Sequence, residues 1–129
     1  DRLTVVADQH GKPTSAEDLA DAILAIAPRL AGAAPGDPAC GVFHYSGAGA
    51  THWAGFAEAI FDAALARGMI AARPEVAHIT TAEYPTPAAR PANSALDCSK
   101  FETTFGLETH DWRASLGRTL DRLAQEGAR

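Results

Sequence analysis

The sequence lacks the features of several large classes of protein. Its 129 residues include only two cysteines, Cys40 and Cys98, which are too few for a disulfide framework and are not spaced as zinc ligands. No apolar run approaches the roughly 20 residues of a membrane-spanning helix, and no basic segment precedes an apolar leader. The formal charge of −5 argues against nucleic acid or an anionic membrane as the main partner. We therefore expect a cytoplasmic protein with reduced cysteines.

Metal and acid–base motifs are also missing. The five histidines form no close pair on one helix face, whereas zinc requires three or four converging ligands; they are His10, His44, His52, His78 and His110. Asp8, Glu17 and Asp18 are too weak a carboxylate set for acid–base chemistry, because the last two suit the first turn of a helix. We expect no metal and no catalytic residue in this chain.

A glycine-containing turn invites comparison with a dinucleotide-binding loop. Gly47 and Gly49 follow an apolar segment and precede a helical pattern, as in a G-x-G-x-x-G turn. His52 stands where the third glycine would be, and no acidic residue ends a strand about 20 residues later. An ordinary tight turn is the favoured interpretation, and a helix N-terminus that meets an anion is the alternative.

The remaining pattern is that of an α/β protein. Short apolar segments at 2–7, 41–45 and 76–80 predict strands, and helical spacing of apolar residues predicts helices between and after them. The expected helix caps are Thr14, with Ser15 fitting less well, then Thr51, Ser99 and Asp111. The expected core face of the first helix is Leu19, Ile23, Ile26, Ala27 and Leu30, and both tryptophans, Trp53 and Trp112, are predicted core residues.

The chain begins on a strand pattern without an initiator methionine. Its first two predicted strands are apolar enough for the interior of a sheet that is covered on both faces. Three short strands supply few partners for them. We therefore expect a fragment of a larger protein, whose exposed apolar strand surface favours association between chains.

A proline-rich segment, residues 84–100, joins the third strand to the later helices. Tyr84, Thr86 and Arg90 each precede a proline, which favours an extended backbone that is neither helix nor central strand. Such an arm presents Tyr84, Thr86, Arg90 and Asn93 at nearly fixed positions and at little ordering cost on binding. A spacer and a ligand-facing arm are both open at this point.

Three motifs give the chain a specific resemblance. Residues 5–20 resemble the V-x-D-Q-x-G-x-P-T-x-x-x-D-L-A segment of the dTDP-4-dehydrorhamnose reductase family. Residues 41–57 are similar to that family's next strand, turn and helix. Residues 84–94, Y-P-T-P-A-A-R-P-A-N-S, resemble its Y-P-T-P-A-R-R-P-x-N-S signature, with Ala89 in place of the first arginine. The motifs occur in order and extend nearly end to end.

The resemblance implies the C-terminal half of an extended short-chain dehydrogenase/reductase. That family reduces the C4 keto group of a dTDP-linked 6-deoxy sugar with NADPH or NADH, giving dTDP-L-rhamnose. The implied fold is α/β, with edge strands of a Rossmann-like sheet in residues 1–50 and a small sugar-nucleotide lobe in residues 51–129. The implied substrate-binding residues are Tyr84, Thr86, Arg90 and Asn93, with Arg90 as a diphosphate partner.

The family's cofactor loop and its catalytic Tyr-x-x-x-Lys are not in this sequence. We therefore expect no cofactor bound by the chain itself and no reductase activity from it alone. The expected partners are a dTDP-sugar, the N-terminal Rossmann half, and, as a further possibility, a second copy in a homodimer. Two alternatives are a regulatory subunit of the same fold, like the methionine adenosyltransferase β-type subunits, and a free-standing interaction module.

Overall fold

The computed structural model of the chain describes residues 1–127 and has an α/β architecture. Four strands and four helices follow one another in the order β-β-α-β-α-β-α-α, with a single 3₁₀ turn after the last strand. The strands are β1 (Arg2–Val6), β2 (His10–Gly11), β3 (Thr51–His52) and β4 (Glu75–Ile79). The helices are α1 (Ala16–Ala31), α2 (Trp53–Ala66), α3 (Ser99–Phe105) and α4 (Trp112–Gly127), and the 3₁₀ turn is Thr81–Glu83.

The strands form two small sheets. β1 and β4 pair in parallel along their whole length, with Arg2 opposite Glu75 and Val6 opposite Ile79. α2 lies between them in sequence and contacts both, as expected for a parallel β-α-β crossover. β2 and β3 form a two-residue antiparallel pair that places His10 opposite His52. The predicted strands at 2–7 and 76–80 are thus confirmed, whereas β2 and β3 escape sequence analysis because two residues show no periodicity.

The predicted strand at 41–45 is wrong. Residues 41–47 have no regular structure, and Ala48 alone makes an isolated bridge, to Asp111. The apolar side chains of this segment pack on α3 instead: the rings of Phe43 and Phe105 lie 4.9 Å apart, and those of Tyr45 and Phe101 lie 5.1 Å apart. Aromatic packing, and not a strand ladder, accounts for the apolar run.

Two of the four predicted N-caps, Thr51 and Ser99, are displaced by one residue, and at α1 the cap is Ser15, the weaker of its two candidates. Ser15 caps α1 by accepting from the Asp18 amide, while His52 caps α2 through Nδ1, which accepts from the Gly55 amide at 3.1 Å. Cys98, and not Ser99, occupies the N-cap of α3. The cap predicted at Asp111 is confirmed, since its carboxylate accepts from the amides of Arg113 and Ala114. Thr51 and Ser99 lie next to the true caps and are residue types that favour an N-cap, so the sequence placed these caps one residue away.

The core is small and centres on Trp112 at the start of α4. Its indole is 2% exposed and meets the Phe56 ring edge-on, with centroids 5.5 Å apart. Gly49 packs against this ring, and a Cβ on Gly47 would lie 2.2 Å from the Pro13 carbonyl oxygen and 3.3 Å from the Trp112 Cβ. Gly49 also has a φ of 83°. Both glycines are therefore explained by close packing around Trp112.

The prediction that one face of α1 is buried in the core is wrong. Ile23 is 54% exposed, and Leu19 and Leu30 are also exposed, with Leu24 beside them. The helical spacing is real, but no element among residues 1–127 covers this face. A periodic stripe specifies a helix face that suits burial, and the burial itself requires a neighbour.

α1 is instead attached to the fold through one buried carboxylate. Asp18 accepts hydrogen bonds from the Ser115 hydroxyl and the Arg118 guanidinium of α4, and His110 Nδ1 lies 3.2 Å from its Oδ1. Burial by itself raises the pKa of Asp18, yet the hydrogen bonds from Ser115, Arg118 and His110 outweigh it and hold that pKa below its ordinary value. The Asp18 carboxylate is thus charged, paired and structural.

Asp18→Asn is expected to lower the free energy of unfolding by about 2 kcal/mol, because charge-assisted hydrogen bonds from three residues are weakened in a buried place. Asp21→Asn is the matched control, since Asp21 is exposed on the same helix. The measurement is urea unfolding at fixed protein concentration. Because the folded-state pKa of Asp18 is depressed, its contribution is complete above its ordinary pKa of about 4 and is lost as pH falls further. A difference between wild type and Asp18→Asn that persists unchanged in strong acid would contradict the assignment.

Candidate functional site

A cavity of about 450 Å³ opens at the carboxyl end of β1, beside the proline-rich arm. Three predicted site residues line it: Tyr84, Thr86 and Arg90. The opposite wall consists of Thr4, Val5, Val6, Gln9 and Trp53. Ligands of parallel α/β proteins bind beyond the carboxyl ends of the strands. The cavity is therefore in the expected place for a ligand site.

The arm is held at its start by Asp8, the second residue after β1. The Asp8 carboxylate accepts from the Thr81 amide at 2.9 and 3.0 Å and from the Thr81 hydroxyl at 2.7 Å. Gln9 Nε2 also donates to that hydroxyl oxygen, at 3.1 Å. The Thr81 hydroxyl and then its amide hold the pKa of Asp8 below its ordinary value. The 3₁₀ turn that begins at Thr81 delivers Tyr84 directly to the cavity.

The same short segment also holds the far end of the arm. The His10 amide donates to the Ala92 carbonyl at 2.8 Å, and the Ser94 amide donates to the His10 carbonyl at 2.8 Å. Lys12 Nζ then donates to the Leu96 carbonyl at 2.7 Å. Residues 8–12, which we call the clamp, therefore hold the chain on both sides of residues 84–90, the part of the arm that reaches the cavity. Between these fixed points the arm has neither helix nor strand, as predicted.

Arg90 differs from the other arginines among residues 1–127. Every other one has a carboxylate or aromatic partner: Arg2, Arg29, Arg67, Arg73, Arg118 and Arg122 pair with acids, and Arg113 lies over Trp112. Within the described chain, the Arg90 guanidinium has no such partner, although it is exposed and lines the cavity. An unpaired guanidinium at a cavity is a ready partner for a phosphate or carboxylate.

Asn93 is not brought to this cavity. It lies at the isolated bridge to His10, and its side-chain Oδ1 accepts from the Ala95 amide at 2.9 Å. Asn93 therefore shapes the turn at the far end of the arm. Thr86 lines the cavity, while its hydroxyl donates to the Ala88 carbonyl at 2.7 Å and so stabilises the arm locally.

Trp53 is the cavity residue that sequence reasoning missed. It was predicted to be a core residue, but its indole is 59% exposed and forms one wall of the cavity. Trp53 is the first residue of α2, where the helix is still emerging from the β3 pairing. The available signal was its position, because Trp53 is the first residue of the helix and directly follows the cap.

The glycine turn that resembles a dinucleotide-binding loop is closed by packing. This turn, Gly47 to Gly49, is filled by contacts with Pro13 and Trp112. Among residues 1–127, no group of three histidine, cysteine, aspartate or glutamate side chains is arranged to hold a metal. No helix of this part of the chain is long and apolar enough to cross a membrane.

The parallel β-α-β unit defines a piece of an α/β protein with a cavity at the carboxyl end of a strand. Residues 1–125 match the family model described as the RmlD substrate binding domain. The chain belongs to that family, and the resemblance inferred from its motifs is confirmed.

Curated relatives carry the same name throughout. The chain is 44% identical over 127 residues to a dTDP-4-dehydrorhamnose reductase of Sinorhizobium fredii, covering 98% of this chain and 42% of the relative. It is 43% identical to the Aggregatibacter actinomycetemcomitans enzyme of that name, covering 90% of this chain and 39% of the relative. The chain thus spans about two fifths of the length of these relatives.

Solved structures agree with the fold. A dTDP-4-dehydrorhamnose reductase from Clostridium acetobutylicum superposes with a TM-score of 0.80 at 36% identity, over 95% of this chain and 39% of that one. The Bacillus anthracis enzyme, solved in complex with NADP, gives a TM-score of 0.73 at 28% identity, over 92% of this chain and 37% of that one.

Asp8→Ala is expected to release the start of the arm, because the Thr81 amide and hydroxyl lose their acceptor. Amide hydrogen exchange should become faster at Thr81 and Tyr84 and stay unchanged in α4. Asp21→Ala, which removes an exposed carboxylate far from the arm, is the control. Since the pKa of Asp8 is depressed, the wild type should show the same loosening only as pH falls below the ordinary carboxyl range. Equal exchange at Thr81 in both variants would refute the clamp.

Proposed function

We propose that this chain is the substrate-binding part of a dTDP-4-dehydrorhamnose reductase and binds the sugar nucleotide in the cavity beside the arm. The whole enzyme would reduce dTDP-4-dehydro-6-deoxy-L-mannose to dTDP-L-rhamnose. The names of the relatives and the matched substrate-binding family support this assignment. The observation that carries it within the chain is the unpaired Arg90 guanidinium at a cavity held by the clamp.

The proposed binding mode assigns a task to each predicted arm residue. Arg90 pairs with the diphosphate, whose oxygens match the planar fork of a guanidinium. The Tyr84 hydroxyl is a hydrogen-bond donor for the diphosphate or sugar, and Thr86 lines the cavity between them. Asn93 contributes by fixing the turn that ends the arm. The single arginine in place of the family pair makes Arg90 the main cationic contact.

Hydride chemistry belongs to the part of the enzyme outside this chain. NADPH or NADH would supply the hydride, and the NADP complex of the Bacillus anthracis relative supports a nicotinamide cofactor for the whole protein. The cofactor loop and the Tyr-x-x-x-Lys pair are not in this sequence. The chain by itself is therefore proposed to bind the sugar nucleotide without oxidising NADPH.

We further propose that residues 1–50 belong with the Rossmann portion and residues 51–129 with the sugar-nucleotide lobe, apart from β4, which pairs with β1 and so belongs to the same sheet. In the described chain, β1 pairs only with β4, so its other edge has ladder groups free for a neighbouring strand. The exposed apolar face of α1 provides a second surface for the remainder of the enzyme.

Arg90→Ala is expected to weaken binding of dTDP-L-rhamnose about 10- to 100-fold, the scale of a lost charge-assisted contact. The measurement is calorimetric titration of this chain. Arg29→Ala is the matched control, because that arginine is paired with Asp37 at 3.1 Å away from the cavity. Equal affinity of the Arg90→Ala variant and wild type would remove the proposed diphosphate contact. A folded wild-type chain that does not bind the sugar nucleotide would contradict the proposed function of the chain.

A further inference from the structure

Trp53 has an unusual degree of exposure for its residue type. Its indole is 59% exposed, whereas Trp112, at the start of α4, which packs against α2, is 2% exposed. Burying a tryptophan removes a large apolar area from water, so an indole left open forgoes a substantial stabilisation. Its exposure is tied to a particular place, since Trp53 forms part of a cavity wall.

The indole lies at the boundary between two cavities. The larger one, of about 450 Å³, contains Arg90 together with the apolar side chains of Val5 and Val6. The smaller one, of about 170 Å³, is lined by Lys12 and Ser94 among other hydrogen-bonding groups. Trp53 and Gln9 line both. A ligand that reaches Arg90 therefore has the indole within the same cavity.

The backbone of Trp53 is fixed at the start of α2. It is the first residue of α2, and the preceding His52 is held both in the β3 pairing and by its cap bond to the Gly55 amide at 3.1 Å. Tyr84, the other exposed aromatic residue of the larger cavity, lies on the irregular arm. A ring on a fixed backbone contributes more to binding than one on an irregular arm, because less backbone freedom is lost when the ligand arrives.

We propose that Trp53 is the stacking platform for the pyrimidine base of the bound nucleotide. This inference rests on the proposed function, since it assumes a nucleoside diphosphate with its phosphates at Arg90. The base is the only aromatic ring of such a ligand, and base–aromatic stacking is one of the strongest contacts that it offers. Val5 and Val6 give the same cavity an apolar surface, which suits a stacked base.

Two ligands separate the base from the phosphates: dTDP and inorganic pyrophosphate, each titrated calorimetrically. Trp53→Ala is expected to weaken dTDP about 10- to 100-fold and to leave pyrophosphate unchanged. Arg90→Ala should weaken both ligands. Trp53→Phe, which keeps an aromatic face, should recover most of the affinity for dTDP.

Fluorescence gives an independent readout, because the chain has only two tryptophans. Adding dTDP should quench the tryptophan fluorescence of wild type. The quenching should disappear in Trp53→Phe, where the buried Trp112 is the sole tryptophan. This test does not require a substitution in the core.

The outcomes separate the two proposals. If Trp53→Ala binds dTDP like wild type while Arg90→Ala does not, the stacking inference is wrong and the nucleotide site stands. Stacking is also overturned if Trp53→Ala weakens binding of dTDP and of pyrophosphate equally. It is likewise overturned if Trp53→Ala weakens binding of dTDP-L-rhamnose but not of dTDP, a result that would indicate a contact with the sugar. If wild type binds neither dTDP nor dTDP-L-rhamnose, both proposals fail.

Discussion

The clamp, residues 8–12, is the constraint on which the candidate site depends. Asp8 holds the Thr81 end of the arm with three hydrogen-bond contacts, and His10 holds the other end through backbone bonds to Ala92 and Ser94. If the arm were fixed at one end only, its side chains would occupy many positions. With both ends fixed by one short segment, Tyr84 and Arg90 are brought to the same cavity before any ligand arrives. This preorganisation reduces the entropy lost on binding.

The clamp also connects the site to the sheet. Ala7, the residue between β1 and Asp8, donates its amide to the Ile79 carbonyl at 2.9 Å, extending the β1–β4 pairing up to the clamp. The position of the arm is therefore set by the register of a parallel strand pair. Elsewhere the chain is held by few buried groups, chiefly Trp112 and the Asp18 network. The site is built on the longest strand pairing among residues 1–127.

Much of this was accessible from the sequence, because local chemistry specified it. The prolines after Tyr84, Thr86 and Arg90 predicted an arm without helix or strand, and Asp111 was correctly predicted as a cap. The strand at 41–45 was wrong because an apolar run serves aromatic packing as well as a ladder. The burial of the α1 face was wrong because periodicity does not supply a neighbour.

The clamp and Trp53 were not predicted, for a physical reason. Asp8 and Thr81 are 73 positions apart in the sequence, and neither residue type signals such a distant hydrogen bond. Trp53 stands at the start of a helical pattern and was therefore predicted to be a core residue. Its exposure follows from the pairing of β3 with β2 directly before the helix begins, and this pairing is a tertiary feature. Sequence reasoning therefore identified the arm, while its supports and the opposite wall required the structure.

A crystal structure of the chain with dTDP-L-rhamnose would test the central claim most directly. The account predicts a diphosphate within hydrogen-bonding distance of the Arg90 guanidinium, about 3 Å, in the cavity between Trp53 and the arm. The clamp contacts at Thr81, Ala92 and Ser94 should be the same with and without the ligand. A nucleotide bound elsewhere on the chain, with Arg90 still free of any phosphate, would contradict the account.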